Sequence, residues 1–232
     1  MPKETFNQIA DEKRERILDQ AARLFAQRGL NQTDMSELAA RAGVAKGSLY
    51  NYFKSKDELY LHVCRQALAR SREAVYGDID PTWDIHRQVE HIFRRGVQFA
   101  LEHPEYVSLY LNTASAGMER FARKISREVE KHTANHLKRL LRQGMKKGLV
   151  RADLDVNLAA FLINSLYIVF IVSLVSPHFQ IRMSEYLDIK GPLDGESIDD
   201  RLTRTIAIIQ SFLKPAGDDE PAPARAPRQR RN

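Results

Sequence analysis

Six positions, Lys46, Gly47, Ser48, Tyr50, Tyr52 and Lys56, crowd into the end of the stretch T-D-M-S-E-L-A-A-R-A-G-V-A-K-G-S-L-Y-N-Y-F-K-S-K. They supply hydroxyls, amines and one bare backbone position, which is the chemistry of holding phosphate and touching base edges. From Arg41 to Lys56 there are four cationic side chains and no carboxylate, so phosphate is attracted without local repulsion. Lys46 falls at a helix start, where cationic side chain and backbone N–H groups both favour an anion. Gly47 lets the backbone approach closely, Tyr50 and Tyr52 point outward with hydroxyls for phosphate and rings for sugar or thymine methyl, and Lys56 grips the backbone beyond. The partner so described is double-stranded DNA.

Two short helices around a glycine must position these groups. Asp34 with Glu37 fits a capping box, and Thr33 with Ser36 offers a cap one residue earlier. Leu38, Ala39 and Ala42 share one helical face. Gly43 can take the left-handed conformation that stops the helix. A second helix of roughly Ala45–Tyr52 then buries Leu49, with Val44 packing at its entry, which makes a helix-turn-helix.

Leu38-Ala39 followed by A-G-V-A-K-G-S-L-Y-N-Y-F-K-S-K-D-E-L resembles the DNA-binding signature of the TetR family of bacterial transcriptional regulators, over about Arg14 to Leu61. The resemblance implies an all-α protein: a three-helix DNA-binding domain, then a helical bundle that binds a ligand, dimerises and controls release from a palindromic operator. It carries the DNA-contact role onto Thr33, Ser36, Lys46, Gly47, Ser48, Tyr50, Tyr52 and Lys56. One departure stands at Ala45, where the family often has Ser or Thr; losing that cap costs about 1 kcal/mol of helix stability.

The rest of the chain reads as helices. A first helix at about Glu12–Arg28 ends at Gly29, and Lys56–Tyr76 continues as a linker helix. Trp83–Glu102, Glu105–Ala116, Met118–Lys147 and Ser197–Leu213 follow, with a long loop over His178–Glu196 that would shape a cavity mouth. Phe99, Tyr106, Tyr110, Met118, Phe121, Tyr167 and Phe170 are the aromatic and soft side chains that could line such a cavity and favour an apolar or aromatic effector. His132 and His136, four apart, could join them or bind a metal; with no third ligand beyond Glu128, no metal and no other cofactor is expected.

The run Leu158–Ser176 is long and uncharged enough to cross a membrane, which makes a single-pass or peripheral membrane protein the alternative function. Asn164 and Ser165 near its centre and the absence of a flanking basic cluster oppose insertion, and no membrane partner is expected. A helix apolar all round can instead be buried by its own domain and a second copy. The expected homodimer forms through about 153–176 and 197–213, and two copies read an inverted repeat.

The 232 residues carry a formal charge of +6 and a single cysteine, Cys64, which fits DNA as partner and a reducing cytoplasm. No nucleophile elbow, Walker, dinucleotide or H-E-x-x-H pattern occurs, so no enzyme activity and no catalytic residue is expected. The expected division is 1–56 for DNA, 57–214 for ligand and dimer, and 215–232, rich in Pro, Ala and charge, as a disordered tail.

Overall fold

The computed structural model describes residues 2–113, 117–191 and 193–215, and leaves the side chains of residues 120, 122, 124, 126, 128 and 129 undescribed. The tail expected over 215–232 falls, beyond Pro215, outside the described residues, as does Ala116 at the expected end of the aromatic helix. All regular structure among the described residues is helical.

The head comprises α1 (Glu4–Asn7), α2 (Asp11–Gln32), α3 (Met35–Arg41) and α4 (Lys46–Tyr52). α2 breaks at Gly29, whose φ of 68° is a conformation that glycine adopts without steric cost. The Thr33 hydroxyl donates to the Gly29 carbonyl at 2.7 Å and fixes the turn that follows. Asp34 caps α3, accepting from the Ser36 and Glu37 N–H groups at 2.6 and 3.0 Å. Glu37 does not reciprocate; it pairs with Arg41 at 2.7 Å and with Arg28. Gly43, at φ 66°, turns the chain into α4, where Ala45 stands at the N-cap without a side-chain bond.

A seven-residue helix is too short to persist alone, so its neighbours must hold α4. Leu49 and Phe53 anchor it in a core with Leu24, Phe25 and Leu38. Its terminal carbonyls are met from the polar N-terminal segment. Lys3 donates its N–H to Tyr52 O and its Nζ to Tyr50 O, both at 2.8 Å, and the Thr5 hydroxyl donates to Asn51 O at 2.9 Å. Phe6, 1% exposed, packs its ring 4.7 Å from Phe53 and 5.5 Å from Tyr52.

The body comprises α5 (Lys56–Tyr76), α6 (Ile85–Glu102), α7 (Pro104–Thr113), α8 (Glu119–Lys146), α9 (Val156–Ser173), α10 (Pro177–Tyr186) and α11 (Gly195–Leu213). Side-chain caps at Ser55, Asp84, Asp155 and Asp194 mark four of these starts. The head core continues across residue 56 into Leu59, Tyr60, Val63, Cys64 and Ala67, so α5 belongs to head and body alike. A second core gathers Val89, Phe93, Leu141, Ile163, Phe170, Leu202 and Ile206.

The segment read as a loop over His178–Glu196 is half helix. Pro177 at the first turn is pre-set for helical φ, and Phe179 and Met183, four apart, seat α10 on the second core. α9 is long and apolar enough to cross a membrane, yet packs against α6, α7, α8 and α10 and buries Ala159, Ala160, Ile163 and Phe170. A lone membrane helix would make no such contacts. Its other side exposes Leu158, Phe161, Leu162, Leu166 and Val169.

Truncating Phe6 to Ala empties the seat under α4 and is expected to lower stability by about 3 kcal/mol, read as a shift of the urea unfolding midpoint at unchanged slope.

Candidate nucleic-acid interface and internal cavity

α4 turns Lys46, Gly47 and Tyr50 to solvent with Ser48 half-covered beside them, and Ser36 stands exposed on α3. Positions 46, 47 and 50 share one helical face, opposite the buried Leu49 and Tyr52. The Asp34 carboxyl lies below its ordinary pKa because the Glu37 and Ser36 N–H groups donate to it, with Lys46 adding a weaker attraction. Arg41 spends its charge on Glu37, so the cations left outward on this surface are chiefly Lys46 and Lys54.

Three expected contacts sit differently. Thr33 is only 3% exposed and its hydroxyl is committed to Gly29, because the turn after α2 needs a donor there. Tyr52 is 8% exposed and turned into the head, since it falls on the Leu49 side of α4 and meets Phe6. Lys56 is half-buried, with Nζ donating to the carbonyls of Asn31 and Thr33 at 3.1 and 3.0 Å. It ties α5 to the end of α2, and a phosphate would have to share its ammonium with those carbonyls.

Between α5, α6, α7, α8 and α9 lies a cavity of about 390 Å³. Of the expected lining residues, Phe99, Tyr106, Tyr110, Tyr167 and His132 are there. Met118, Phe121, Phe170 and His136 are not. Met118 and Phe121 turn toward the head, where the Phe121 ring lies 5.4 Å from Tyr60. Phe170 packs in the second core, rotated away from Tyr167 along α9. His136 faces the Tyr76 ring at 5.3 Å and accepts from Arg139 at 3.2 Å, so the two histidines share no site. The Glu128 side chain lies outside the described residues, and no cluster of three metal-ligating side chains occurs among those that are described.

Sequence reasoning missed the polar part of the wall. Arg65, Ser71, Arg72, Tyr76, Glu130, Thr133 and Asn164 all line the cavity. The signal was available on α5, where Arg65, Leu68, Ala69, Arg72 and Tyr76 recur at helical spacing, and the two arginines stand exposed at the rim. Burial raises the phenols of Tyr76, Tyr106, Tyr110 and Tyr167, which keeps each a neutral donor, and raises the Glu130 carboxyl. Cys64, behind this wall, is buried with its thiol pushed up to about 12, which leaves no thiolate for nucleophilic chemistry near neutral pH.

One side chain joins cavity to head. Arg70 of α5 pairs with Asp19 at 3.0 Å and with Glu15, four residues apart on α2, and donates to the hydroxyl of Tyr106 on α7. The Tyr106 ring is itself cavity wall, lying against His103 and Phe99 at 5.3 and 5.8 Å. Asn112, further along α7, donates to the Phe25 and Ala26 carbonyls of α2 at 3.1 and 3.3 Å.

If the protein holds DNA as a dimer and Lys46 grips phosphate, Lys46→Ala removes two counterion-releasing contacts. The slope of log affinity against log salt, expected near −7 for about eight phosphates, should then become shallower by roughly 2, as read by band-shift titration across salt. An unchanged slope would mean that Lys46 does not touch phosphate.

The family model "Bacterial regulatory proteins, tetR family" matches residues 17–63, which span the head from mid-α2 into α5. The HTH-type transcriptional repressor KstR2 of Mycobacterium tuberculosis is 32% identical over 152 residues, covering 63% of this chain and 73% of the repressor. In fold, the chain is similar to the regulator FadR of Bacillus subtilis in complex with stearoyl-CoA, with TM-score 0.67 and 20% identity over 86% of this chain and 98% of that one. It is also similar to AibR in complex with isovaleryl coenzyme A and operator DNA, with TM-score 0.63 and 19% identity over 88% of this chain and all of that one. With its helix-turn-helix head and the identity it shares with a repressor, this chain belongs to the tetR family of bacterial regulatory proteins.

Proposed function

We propose that the protein is a cytoplasmic homodimeric repressor that holds an inverted-repeat operator through α4 of each protomer and lets go when an acyl thioester of coenzyme A fills the cavity. Residues 1–56 serve DNA and 57–214 serve ligand and dimer, with α5 shared between them. Arg70 is the observation that carries this reading, because it ties a residue of the cavity wall directly to two carboxylates of α2.

A single two-turn helix reaches too few bases for useful specificity, so two copies must act together. The apolar rows that α9 and α11 leave in solvent support the twofold partner. Phe161 and Ile208 are each 67% exposed, beside Leu158, Leu162, Leu166 and Phe212. The effector class follows from the cavity. Its walls are aromatic and aliphatic, while Arg65 and Arg72 at the rim suit an anionic head. A molecule with an apolar body and a phosphate-bearing head meets both demands, and FadR and AibR were each crystallised with such a thioester.

Release requires only that the ligand prefer one arrangement of α5 and α7 over another. A ligand pressing on the Tyr106 ring acts on Arg70, and through Glu15 and Asp19 on α2, which carries α3 and α4. These exposed ion pairs add little stability; their effect is to fix relative orientation.

Selection of bound fragments from random duplexes should enrich an inverted repeat, and palmitoyl-CoA should release it. Phe161→Glu should give monomers in sedimentation and lose at least tenfold in operator affinity. A dimer that persists in that variant would overturn the placement of the interface on α9, and a wild-type monomer or selection without an inverted repeat would overturn the dimer reading. Tyr106→Phe keeps the ring but removes the hydroxyl that Arg70 meets. It should bind operator and thioester within about threefold of wild type, while the weakening of DNA binding by thioester falls by tenfold or more, about 1.4 kcal/mol of coupling.

A further inference from the structure

α9 is apolar along most of its length, and Asn164 near its middle breaks that pattern on the side facing the cavity. Tyr167 follows three residues later and lines the same wall. Its ring packs on Phe93 at 5.3 Å, but no described group exchanges a hydrogen bond with its hydroxyl or with the Asn164 amide. Both residues are half-buried and line the cavity, so what fills the cavity decides whether their polar groups are met.

A second observation bears on the same spot. Gly96 lies buried in mid-α6, where glycine weakens a helix, and a Cβ there would overlap the Tyr167 ring and hydroxyl. The bare position seats Tyr167 where it stands. Tyr76 and Thr133 line the same cavity and add further polar groups to this part of its wall.

A plain hydrocarbon chain drawn into this corner would leave an amide and a phenol without partners, whereas a carbonyl or hydroxyl oxygen would satisfy both. Sites that present polar groups in this way reject analogues lacking the matching atom far more strongly than apolar walls discriminate by size.

We propose that Asn164 and Tyr167 form a hydrogen-bonding subsite for an oxygen carried on the effector's apolar body, so that the preferred ligand is a ketone- or alcohol-bearing acyl or ring system and not a saturated chain. This rests on the reading of the cavity as the effector site. It is separable from the identity of the head, because the subsite concerns the body of the ligand alone.

The test uses the full-length protein and calorimetry with decanoyl-CoA and its mono-oxo isomers. At least one isomer should bind ten or more times tighter than the parent, and Asn164→Leu should abolish that preference while decanoyl-CoA binds equally well or better. Melting of Asn164→Leu at or above the wild-type temperature would exclude misfolding, as replacing an unpaired amide by an apolar side chain of similar size predicts. Isomers no tighter than the parent, or a preference that survives Asn164→Leu, would overturn the subsite. If no thioester binds, the thioester reading fails, and 2-tetralone against tetralin decides the subsite. A tenfold preference for the ketone, with a shift of the Asn164 side-chain amide resonance, supports it; equal binding, no shift or no binding of either overturns it.

Discussion

A helix of two turns makes too few internal hydrogen bonds to survive in water, and α4, which turns Lys46, Gly47 and Tyr50 outward, is such a helix. Everything else in the head can be understood as the apparatus that keeps it helical and aimed. Leu49 and Phe53 fasten its inner face, Gly43 sets the angle of entry, and Lys3 and Thr5 meet the carbonyls at its far end. The ammonium of Lys3 placed there also complements the negative end of the helix dipole. Because Ala45 provides no cap at the other end, α4 leans more heavily on these C-terminal ties than a Ser or Thr at that position would require.

Once α4 is fixed to the head, its direction depends on α2, and α2 is gripped from the body by α5 and α7. Lys56 holds the C-terminal end of α2 through the Asn31 and Thr33 carbonyls, Arg70 holds its N-terminal half through Glu15 and Asp19, and Asn112 holds its middle. These are polar ties at discrete points superimposed on continuous apolar packing. Packing sets the distance between head and body, while the ties set their rotation, since a hydrogen bond is lost over a few tenths of an ångström and an apolar contact is not. Loosening one tie would therefore free a rotation of α2 sooner than a separation of head from body.

Helix positions were legible in the sequence wherever a local signal ended them. Lys56–Tyr76 was readable residue for residue, since Ser55 and Gly77 flank a clean amphipathic run, and the Gly43 turn was fixed by glycine itself. Which face of each helix meets which neighbour was less legible. Tyr50 and Tyr52 look equivalent in a string, yet they lie about 200° apart around α4, and only the second meets Phe6. The same ambiguity placed Phe121 and Phe170 in the cavity, where packing against Tyr60 and the second core takes them instead. The polar lining was missed because an arginine on an amphipathic helix reads as solvated until a facing helix turns that surface into a rim. Phe6 was missed because one aromatic in a polar segment carries no periodicity.

The hydropathy of α9 illustrates how a composition can satisfy two environments at once. A helix that must bury one face in its own domain and another against a second copy is apolar around most of its circumference, which is also the signature of a membrane span. What separates the two cases is the pattern of contact. The buried residues Ala159, Ala160 and Ile163 interleave with the exposed Leu158, Phe161 and Leu162 at helical spacing, so the helix has a definite inside and outside. Lipid imposes no such division on a single span. The polar exception points the same way: Asn164 faces the interior cavity rather than the exposed row. The two faces of α9 thus answer to different constraints, the inner one to cavity and core and the outer one, in the dimer proposed above, to a second copy.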